Sequence, residues 1–470
     1  MTPAPPSFSR QDRPTLMPDD YAESLDFLYG RLNYERVGMP RIPSELRLGR
    51  MRRLLRRLGD PHEALRVVHV AGTKGKGSTS AMVASALTAA GHKTGLFCSP
   101  HLQRLEERFN IDGRAATAGE LVRLVEAVRP TVAALDAENV ASRHRGPTFF
   151  EITTAMGLLH FARERAGVLV LEVGVGGRLD STNVVRPVVS VITNISFDHT
   201  RQLGSTLTAI AREKAGIVKR GRPVVSGEKG DDTRAVIAAA ARRHRGSLRQ
   251  VGTDFSYDYQ PPPAPVARPT AGKVAVTTWR TDWGTLDLPL LGAHQAQNAA
   301  VALATLDVLA EQGVAVGRDA AARGFAALRW PVRVEVMGEA PWVVVDGAHN
   351  VASAEALAET LRTCFPPTPR TLVFGTTRDK DLKGQLRALL PGTRTVVATK
   401  YVENPRAVPP EEVAEAVRSL GGPDVVVTHS PAEALAAARR RTPRDGLICV
   451  TGSLFLAAET RAALVAGSGE

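Results

Sequence analysis

The residues best equipped for chemistry lie between His69 and Thr79, where Gly72-x-x-Gly75-Lys76-Gly77-Ser78 follows an apolar run, Leu65 to Val70, and precedes a helical pattern. A strand, a glycine-rich turn carrying a lysine and a hydroxyl, and then a helix is a phosphate cradle. Backbone N–H groups and the helix N-terminus face the anion. Thr73, Lys74, Gly75, Lys76, Gly77, Ser78 and Thr79 are the candidate contacts, with Lys76 reaching the terminal phosphates and Ser78 or Thr79 bonding them or a magnesium ion. The extra glycine between lysine and serine departs from G-x-x-x-x-G-K-[ST] and points away from GTPases and motors.

Further polar residues punctuate apolar runs. Ser99 follows one such run in Cys98-Ser-Pro-His-Leu102 and could ligate magnesium, although Ser-Pro also simply starts turns. Glu172 ends Val168–Val173, where a carboxylate is costly unless it meets a cation. Beside a phosphate loop that cation is Mg²⁺. The glycines after Glu172 do not form G-x-G-x-x-G, because Leu179 stands in the third position, so a dinucleotide fold is disfavoured. Asp198 and His199 end the next run, where a second metal could bind; the alternative for His199 is a structural histidine. Lys214, taken alone, reads as a surface lysine paired with a nearby acid. Gln295 and Asn298 open a helix and could read an adenine edge or serve as caps. Arg333 could reach phosphates, Asp346 suits a ribose hydroxyl, and His349 approaches the phosphates.

The elements that must position these groups alternate. Strands are expected at Arg66–Ala71, Thr94–Cys98, Val168–Val173, Val188–Asn194 and Pro223–Ser226, and a helix at Thr79–Ala90 stopped by Gly91. Between Val251 and Leu291 a proline cluster and alternating runs predict a small antiparallel insertion closing the first domain. An alanine-rich helix, Gln295–Glu311, follows. Alternation restarts after Arg329-Trp-Pro-Val-Arg333 with strands from Trp342 to Thr451. The expected fold is α/β: a P-loop-type, mostly parallel sheet domain over 1–328, a hinge at 329–333, and a smaller Rossmann-like domain over 334–470. Two such domains on a short hinge place a ligand cleft between them.

Composition sets the outer bounds. The 470 residues hold two or three domains, and no apolar run is long enough to span a bilayer. Met1 to Pro18 is polar and proline-rich, without a signal-peptide core, so a cytoplasmic protein is expected. Cys98, Cys364 and Cys449 lack metal spacing and read as buried, reduced thiols. The net charge of +12 admits nucleic acid or small polyanions as partners. The densest basic stretch, Arg47 to Arg57, is either such a surface or a solvated helix face, and no aromatic-interleaved stripe supports nucleic acid. The segment Ala466–Glu470 is expected to fray.

Together these motifs resemble the folylpolyglutamate synthase family, often bifunctional with dihydrofolate synthase, within the ATP-dependent Mur-ligase superfamily. The resemblance starts at Tyr29-Gly-Arg-Leu-Asn-Tyr-Glu-Arg36 and the phosphate loop. It continues through Ser99-Pro-His-Leu with Glu107-Arg-Phe, Thr148-Phe-Phe-Glu151, Glu172-Val-Gly-Val-Gly-Gly-Arg-Leu-Asp and Asp198-His199. Glu213-Lys-Ala-Gly-Ile, Trp330-Pro, Asp346-Gly-Ala-His-Asn, Asp379-Lys-Asp381, Asn404-Pro-Arg406 and Gly452-Ser-Leu-Phe complete it. It implies ATP contacts at the loop, Gln295, Asn298, Arg333 and Asp346, and catalytic roles for Lys76, His199, Lys214 and His349. It implies magnesium held by Ser99, Glu172 and His199, and a second magnesium near Lys214 as a carbamate, with room for a monovalent cation. Thr148, Leu179, Asp180 and Ser181 align with a pterin-side pocket. Val332 replaces the glycine of Trp-Pro-Gly-Arg, which could stiffen the hinge and unsettle Arg333.

The activity so implied is ATP-dependent addition of L-glutamate to tetrahydrofolate, and to dihydropteroate, through an acyl phosphate kept from water by domain closure. Small molecules are then the partners, with neither nucleic acid nor membrane, and a monomer is expected. A cell-wall precursor ligase of the same superfamily is the near alternative, but it would carry a nucleotide-sugar domain ahead of the loop, where only 71 residues stand. A nucleic-acid-binding NTPase is the alternative from another class.

Overall fold

The computed structural model describes residues 18–38, 48–142, 146–263 and 271–467. Most of the polar N-terminal stretch, Arg47, the end of the proline cluster and residues 468–470 lie outside these. The described residues group into two compact units. One takes in the chain up to Ile195, His199–Asp254 and Val301–Gly324; the other takes in Ser196–Asp198, Phe255–Ala300 and the chain from Phe325 on. The antiparallel insertion expected to close the first domain therefore groups with the second unit.

The first unit is built on an eight-stranded sheet: β1 Val67–Ala71, β2 Thr94–Phe97, β3 Asn110–Ile111, β4 Arg114–Ala115, β5 Val168–Glu172, β6 Val189–Ile192, β7 Val224–Ser226 and β8 Leu248–Gln250. Their order is β4-β3-β2-β5-β1-β6-β7-β8. From β2 to β8 all neighbours run parallel, and only β3 and β4 run antiparallel at one edge. β1, β2, β5 and β6 are buried at every residue, as interior parallel strands covered on both faces must be. β1 lies between β5 and β6 although β2 follows it in the chain, so the strand order reverses at β1. The crevice at the carboxyl ends of such strands is where open α/β sheets bind ligands.

The helix after β1 spans Lys76–Ala89, three residues earlier than its apolar pattern suggests. Gly75 caps it at φ +79°, and Thr79 N–H bonds the Gly75 carbonyl at 2.8 Å, so Lys76, Gly77 and Ser78 already form the first turn. Its alanine-rich body is nearly all buried, and Ser85 Oγ donates to the Gly324 carbonyl at 2.6 Å. A core of aliphatic and aromatic residues joins the helices Pro18–Tyr29, Leu48–Arg57, Ala118–Ser142 and Phe149–Arg163 to the sheet. The helix Leu48–Arg57 buries Met51, Leu54 and Leu55. Two arginines of its basic stretch are paired within the unit: Arg50 with buried Glu151 at 2.6 Å, and Arg57 with Glu138.

The second unit holds β9 Phe255–Gln260, β10 Gly272–Thr278 and β11 Asp282–Leu288 in an antiparallel sheet ordered β11-β10-β9. It also holds a six-stranded sheet of β12 Glu335–Glu339, β13 Trp342–Val345, β14 Arg370–Phe374, β15 Thr393–Ala398, β16 Asp424–Val427 and β17 Leu447–Thr451. The order β12-β13-β17-β14-β15-β16 is parallel except for β12. The three cysteines are buried and unbridged, as expected. Among the described residues no helix is long and apolar enough to cross a membrane.

Candidate functional site

Four adjacent strands of the first unit, β2, β5, β1 and β6, end in the polar groups expected to do chemistry. The loop after β1 opens at Gly72, whose φ is +151° and where a Cβ would lie 1.8 Å from Thr193 Oγ1. Only glycine fits there. The loop is then clamped by the residues after β6. Asn194 accepts from Lys74 N–H at 3.0 Å through Oδ1 and donates to the Lys74 carbonyl at 3.0 Å through Nδ2. Thr193 Oγ1 donates to the same carbonyl at 2.6 Å, and Thr73 N–H donates to the Asn194 carbonyl at 2.8 Å. Neither Thr193 nor Asn194 is conspicuous in the sequence; the only signal is a Thr-Asn pair ending an apolar run.

Thr73, Ser78 and Thr79 are buried, and Lys74, Gly75, Lys76 and Gly77 are partly buried. The hydroxyl of Thr79 is buried and finds no hydrogen-bond partner in the protein. A buried unpaired hydroxyl is costly, and the adjacent Ser80 hydroxyl is likewise buried without a partner in the protein. Lys214, on the helix Leu207–Ala215, is 4% exposed and donates from Nζ to the Gly72 carbonyl at 2.8 Å. It is not the surface lysine its sequence context suggests. Its neighbour Glu213 is the one that pairs outward, with Arg178 at 2.8 Å.

Ser99, after β2, and Glu172, at the end of β5, meet: Ser99 N–H donates to Glu172 Oε2 at 3.2 Å. Glu172 is buried. Among the described residues no three His, Cys, Asp or Glu side chains gather as a metal cage. Magnesium does not need one, since one or two carboxylates with phosphate oxygens and water suffice. The hard oxygens of Ser99 and Glu172 suit that ion. His199 caps the short helix Thr200–Leu203 in a left-handed conformation, φ +49°, and is half-buried.

Asp180 is buried, and burial pushes its carboxyl up while hydrogen bonds from Thr182 and Val175 pull it down. Leu179 and Ser181 beside it are partly exposed. Thr148 is occupied as a cap: it bonds Glu151 N–H at 3.3 Å and Glu151 Oε2 at 2.9 Å, ahead of the helix Phe149–Arg163. The Thr-x-x-Glu spacing signals this capping box.

In the second unit, Gln295 and Asn298 are buried on the helix Ala293–Ala310, and Asn298 Nδ2 donates to Gln295 Oε1 at 2.9 Å. They form an i,i+3 amide pair rather than helix caps. Asp346, at the end of β13, accepts Val334 N–H at 2.9 Å and Ala348 N–H at 2.7 Å. Its burial raises its pKa, and the Arg333 guanidinium works against that. Arg333 donates to the Val332 carbonyl at 2.9 Å. Val332 stands at φ +52°, the left-handed region a glycine would occupy without strain.

His349 Nδ1 lies 2.8 Å from the Gly347 carbonyl, which can only accept, so Nδ1 carries a proton there. Its Nε2 faces Asp198 Oδ2 at 3.6 Å. Asp198 Oδ1 takes the Lys380 ammonium at 2.5 Å, and Asn350 Nδ2 approaches Oδ2 at 3.4 Å. The carboxylate expected to face a second metal is thus neutralised by a lysine. Lys380, 182 residues away in the chain, carries no local signal of this pairing.

Residues 70–306 match the Mur ligase middle domain, and residues 332–454 match the Mur ligase glutamate ligase domain. A Lacticaseibacillus casei folylpolyglutamate synthase is 36% identical over 451 residues, covering 95% of this chain and 99% of that protein. A Halobacterium salinarum protein named "Probable bifunctional folylpolyglutamate synthase/dihydropteroate synthase" is 40% identical over 415 residues, covering 87% of this chain and 48% of that protein. The chain spans about half the length of the halobacterial relatives it matches. A solved Mycobacterium tuberculosis folylpolyglutamate synthase complexed with ADP aligns with a TM-score of 0.85 at 34% identity, covering 95% of this chain and 98% of that one.

Proposed function

The chain belongs to the folylpolyglutamate synthase family of Mur ligases, and from that premise we propose that it uses ATP to join L-glutamate to a reduced folate and to dihydropteroate. The observation that carries the reading is the set of four adjacent strand ends. They bear the clamped Gly72–Ser78 loop, Ser99 beside Glu172, and Thr193 to His199. Membership of this family sets aside the cell-wall precursor ligase. The functional division proposed is 1–328 and 334–470 about the segment 329–333.

A carboxylate is a poor electrophile until its oxygen is phosphorylated. In the proposed reaction the pteridine substrate's carboxylate oxygen attacks the γ-phosphorus of ATP, and ADP leaves. The N–H groups of the helix's first turn, Lys76 to Ser78, and the Lys76 side chain take up charge on the transferring phosphoryl group. The amine of L-glutamate, having lost its proton, then attacks the acyl carbon, and inorganic phosphate leaves as the amide forms. Ser99, Glu172 and His199 would hold magnesium, which when bound adds charge neutralisation on the phosphate oxygens. No step is assigned to a second ion, since Lys214 as an amine holds Gly72 and Asp198 holds Lys380. Gln295, Asn298, Arg333 and Asp346 are proposed as ATP contacts, His349 as a group acting near the reacting phosphate, and Leu179, Asp180, Ser181 and Thr148 as the pteridine-side wall.

The test is ADP release with Mg-ATP and L-glutamate plus either tetrahydrofolate or dihydropteroate. Turnover requiring both glutamate and a pteridine is expected, and Lys76→Ala should abolish it while the circular dichroism spectrum stays unchanged. No release with either pteridine, or near-normal turnover in Lys76→Ala, would overturn the reading.

A further inference from the structure

β1 reads Val-Val-His-Val-Ala and is buried throughout, yet its centre is His69, at 0% exposure. A polar ring in the middle of an apolar strand costs free energy unless it is bonded. His69 Nε2 lies 2.9 Å from Thr182 Oγ1. The single hydroxyl proton of Thr182 points to Asp180 Oδ1 at 2.5 Å. Thr182 can therefore only accept from His69, so the imidazole carries its proton on Nε2. Nδ1 is left buried with no partner in the protein. Burial pushes the ring's pKa down to about 3, and it stays neutral.

The chain of bonds continues. Asp180 Oδ1 also accepts Thr182 N–H at 3.0 Å, and Oδ2 accepts Val175 N–H at 2.9 Å. Both carboxylate oxygens thus tie the Gly174–Gly177 turn to the segment Ser181–Val184. That segment is pinned again one residue on. Lys219 Nζ donates to the Asn183 carbonyl at 3.1 Å and to its Oδ1 at 2.7 Å, while Asn183 Nδ2 donates to the Arg178 carbonyl at 2.9 Å. Leu179 and Ser181 project from a turn held on both sides.

We propose that His69 and Thr182 are positioning residues for the pteridine-side wall. His69 orients the Thr182 hydroxyl, Thr182 orients Asp180, and Asp180 holds the Gly174–Gly177 turn, so the wall is set before the pteridine arrives. The inference rests on the proposed function, which places Asp180 in that wall. Pre-organisation of this kind changes affinity for the group it faces and leaves the phosphate loop chemistry alone.

The experiment compares His69→Leu and Thr182→Val, which break the relay, with His69→Gln and Thr182→Ser, which keep a donor at each place. KM for the pteridine should rise about 10-fold in the first pair, the upper end for a neutral hydrogen bond such as His69–Thr182 and the lower end for one to a carboxylate such as Thr182–Asp180. KM for ATP and kcat should stay within about twofold, and the second pair should restore the pteridine KM. An unchanged pteridine KM in folded Thr182→Val, or equal rises in both KM values, would overturn the inference. So would a pteridine KM in His69→Gln and Thr182→Ser raised as far as in the relay-breaking pair, since a donor kept at each place would then not matter. Wild-type protein that turns over neither pteridine defeats the proposed function itself, and this inference with it.

Discussion

Lys214 Nζ donates a 2.8 Å hydrogen bond to the carbonyl of Gly72, the residue that opens the phosphate loop, across 142 positions of sequence. The buried Lys214 side chain thus fixes one side of the loop while Thr193 and Asn194 fix the other. Lys214→Met keeps the stem and removes the donor. One hydrogen bond to a charged group predicts a fall in kcat/KM of about 10- to 100-fold. ADP-release kinetics check it. Activity within twofold of wild type would show that the bond does not matter to turnover. A loss beyond about 1,000-fold exceeds one hydrogen bond and would favour a carbamate on Lys214.

Gly72 packs its Cα against Thr193, leaving no room for a methyl group. Gly72→Ala should destabilise the protein by about 3 kcal/mol through overpacking. Because the closest atom is Thr193 Oγ1, Gly72→Ala with Thr193→Ala should be less destabilised than Gly72→Ala alone. The closest backbone atom, Thr193 N at 3.1 Å from the added Cβ, keeps the rescue partial. Urea denaturation of the four proteins gives the cycle. Additive losses would contradict the contact.

The strand ends are legible in the sequence because interior parallel strands are continuous apolar runs, and a Ser, Glu or Asp that ends one stands out. β1, β2, β5 and β6 fall within two residues of where those runs place them. The start of the loop helix is not legible, since Lys76-Gly77-Ser78 has poor helix propensity and only the left-handed Gly75 cap reveals the turn. Lys214 misleads because a nine-residue helix offers too little periodicity to say which face is buried, and packing against the loop decides it. The Asp198–Lys380 pair joins residues far apart in sequence, where no local pattern operates. The grouping of 255–300 with the second unit is a property of packing that strand patterns do not carry.

His69 makes stability depend on pH. Its folded pKa, about 3, lies below the ordinary 6.5, because burial disfavours the imidazolium. Between pH 6.5 and 3 the unfolded chain binds a proton that the folded chain refuses. Stability is therefore undiminished above pH 6.5 and falls as pH drops through that window, by about 1.4 kcal/mol per unit. His69→Gln removes this slope. Urea denaturation of both proteins at pH 7, 6 and 5 should show a steeper acid loss in the wild type; parallel losses would mean that His69 is protonated in the fold.

Asp198 and Lys380 are 7% and 10% exposed in their side chains and pair at 2.5 Å. Breaking one member of a buried pair strands the other. Lys380→Met should cost about 3 kcal/mol, since Asn350, which donates to Oδ2 at 3.4 Å, is neutral and His349 Nε2 stands 3.6 Å away. Asp198→Asn combined with Lys380→Met leaves no stranded charge and should recover much of that loss. Thermal unfolding of the single and double variants decides it, and a double variant no better than Lys380→Met would show that the charge pair is not the source.

Val332 sits where glycine would be unstrained, at φ +52°, yet its side chain is 0% exposed. Val332→Gly should relieve about 1–2 kcal/mol of left-handed strain. It would also give up about 1.5–3 kcal/mol of side-chain burial. The freer unfolded chain costs roughly 0.5–1 kcal/mol more. Burial and chain entropy together outweigh the strain, so Val332→Gly should be less stable than wild type by about 1 kcal/mol. Urea denaturation measures the sign directly. A more stable Val332→Gly would mean that strain dominates at this position and that the valine is retained at a cost to the fold.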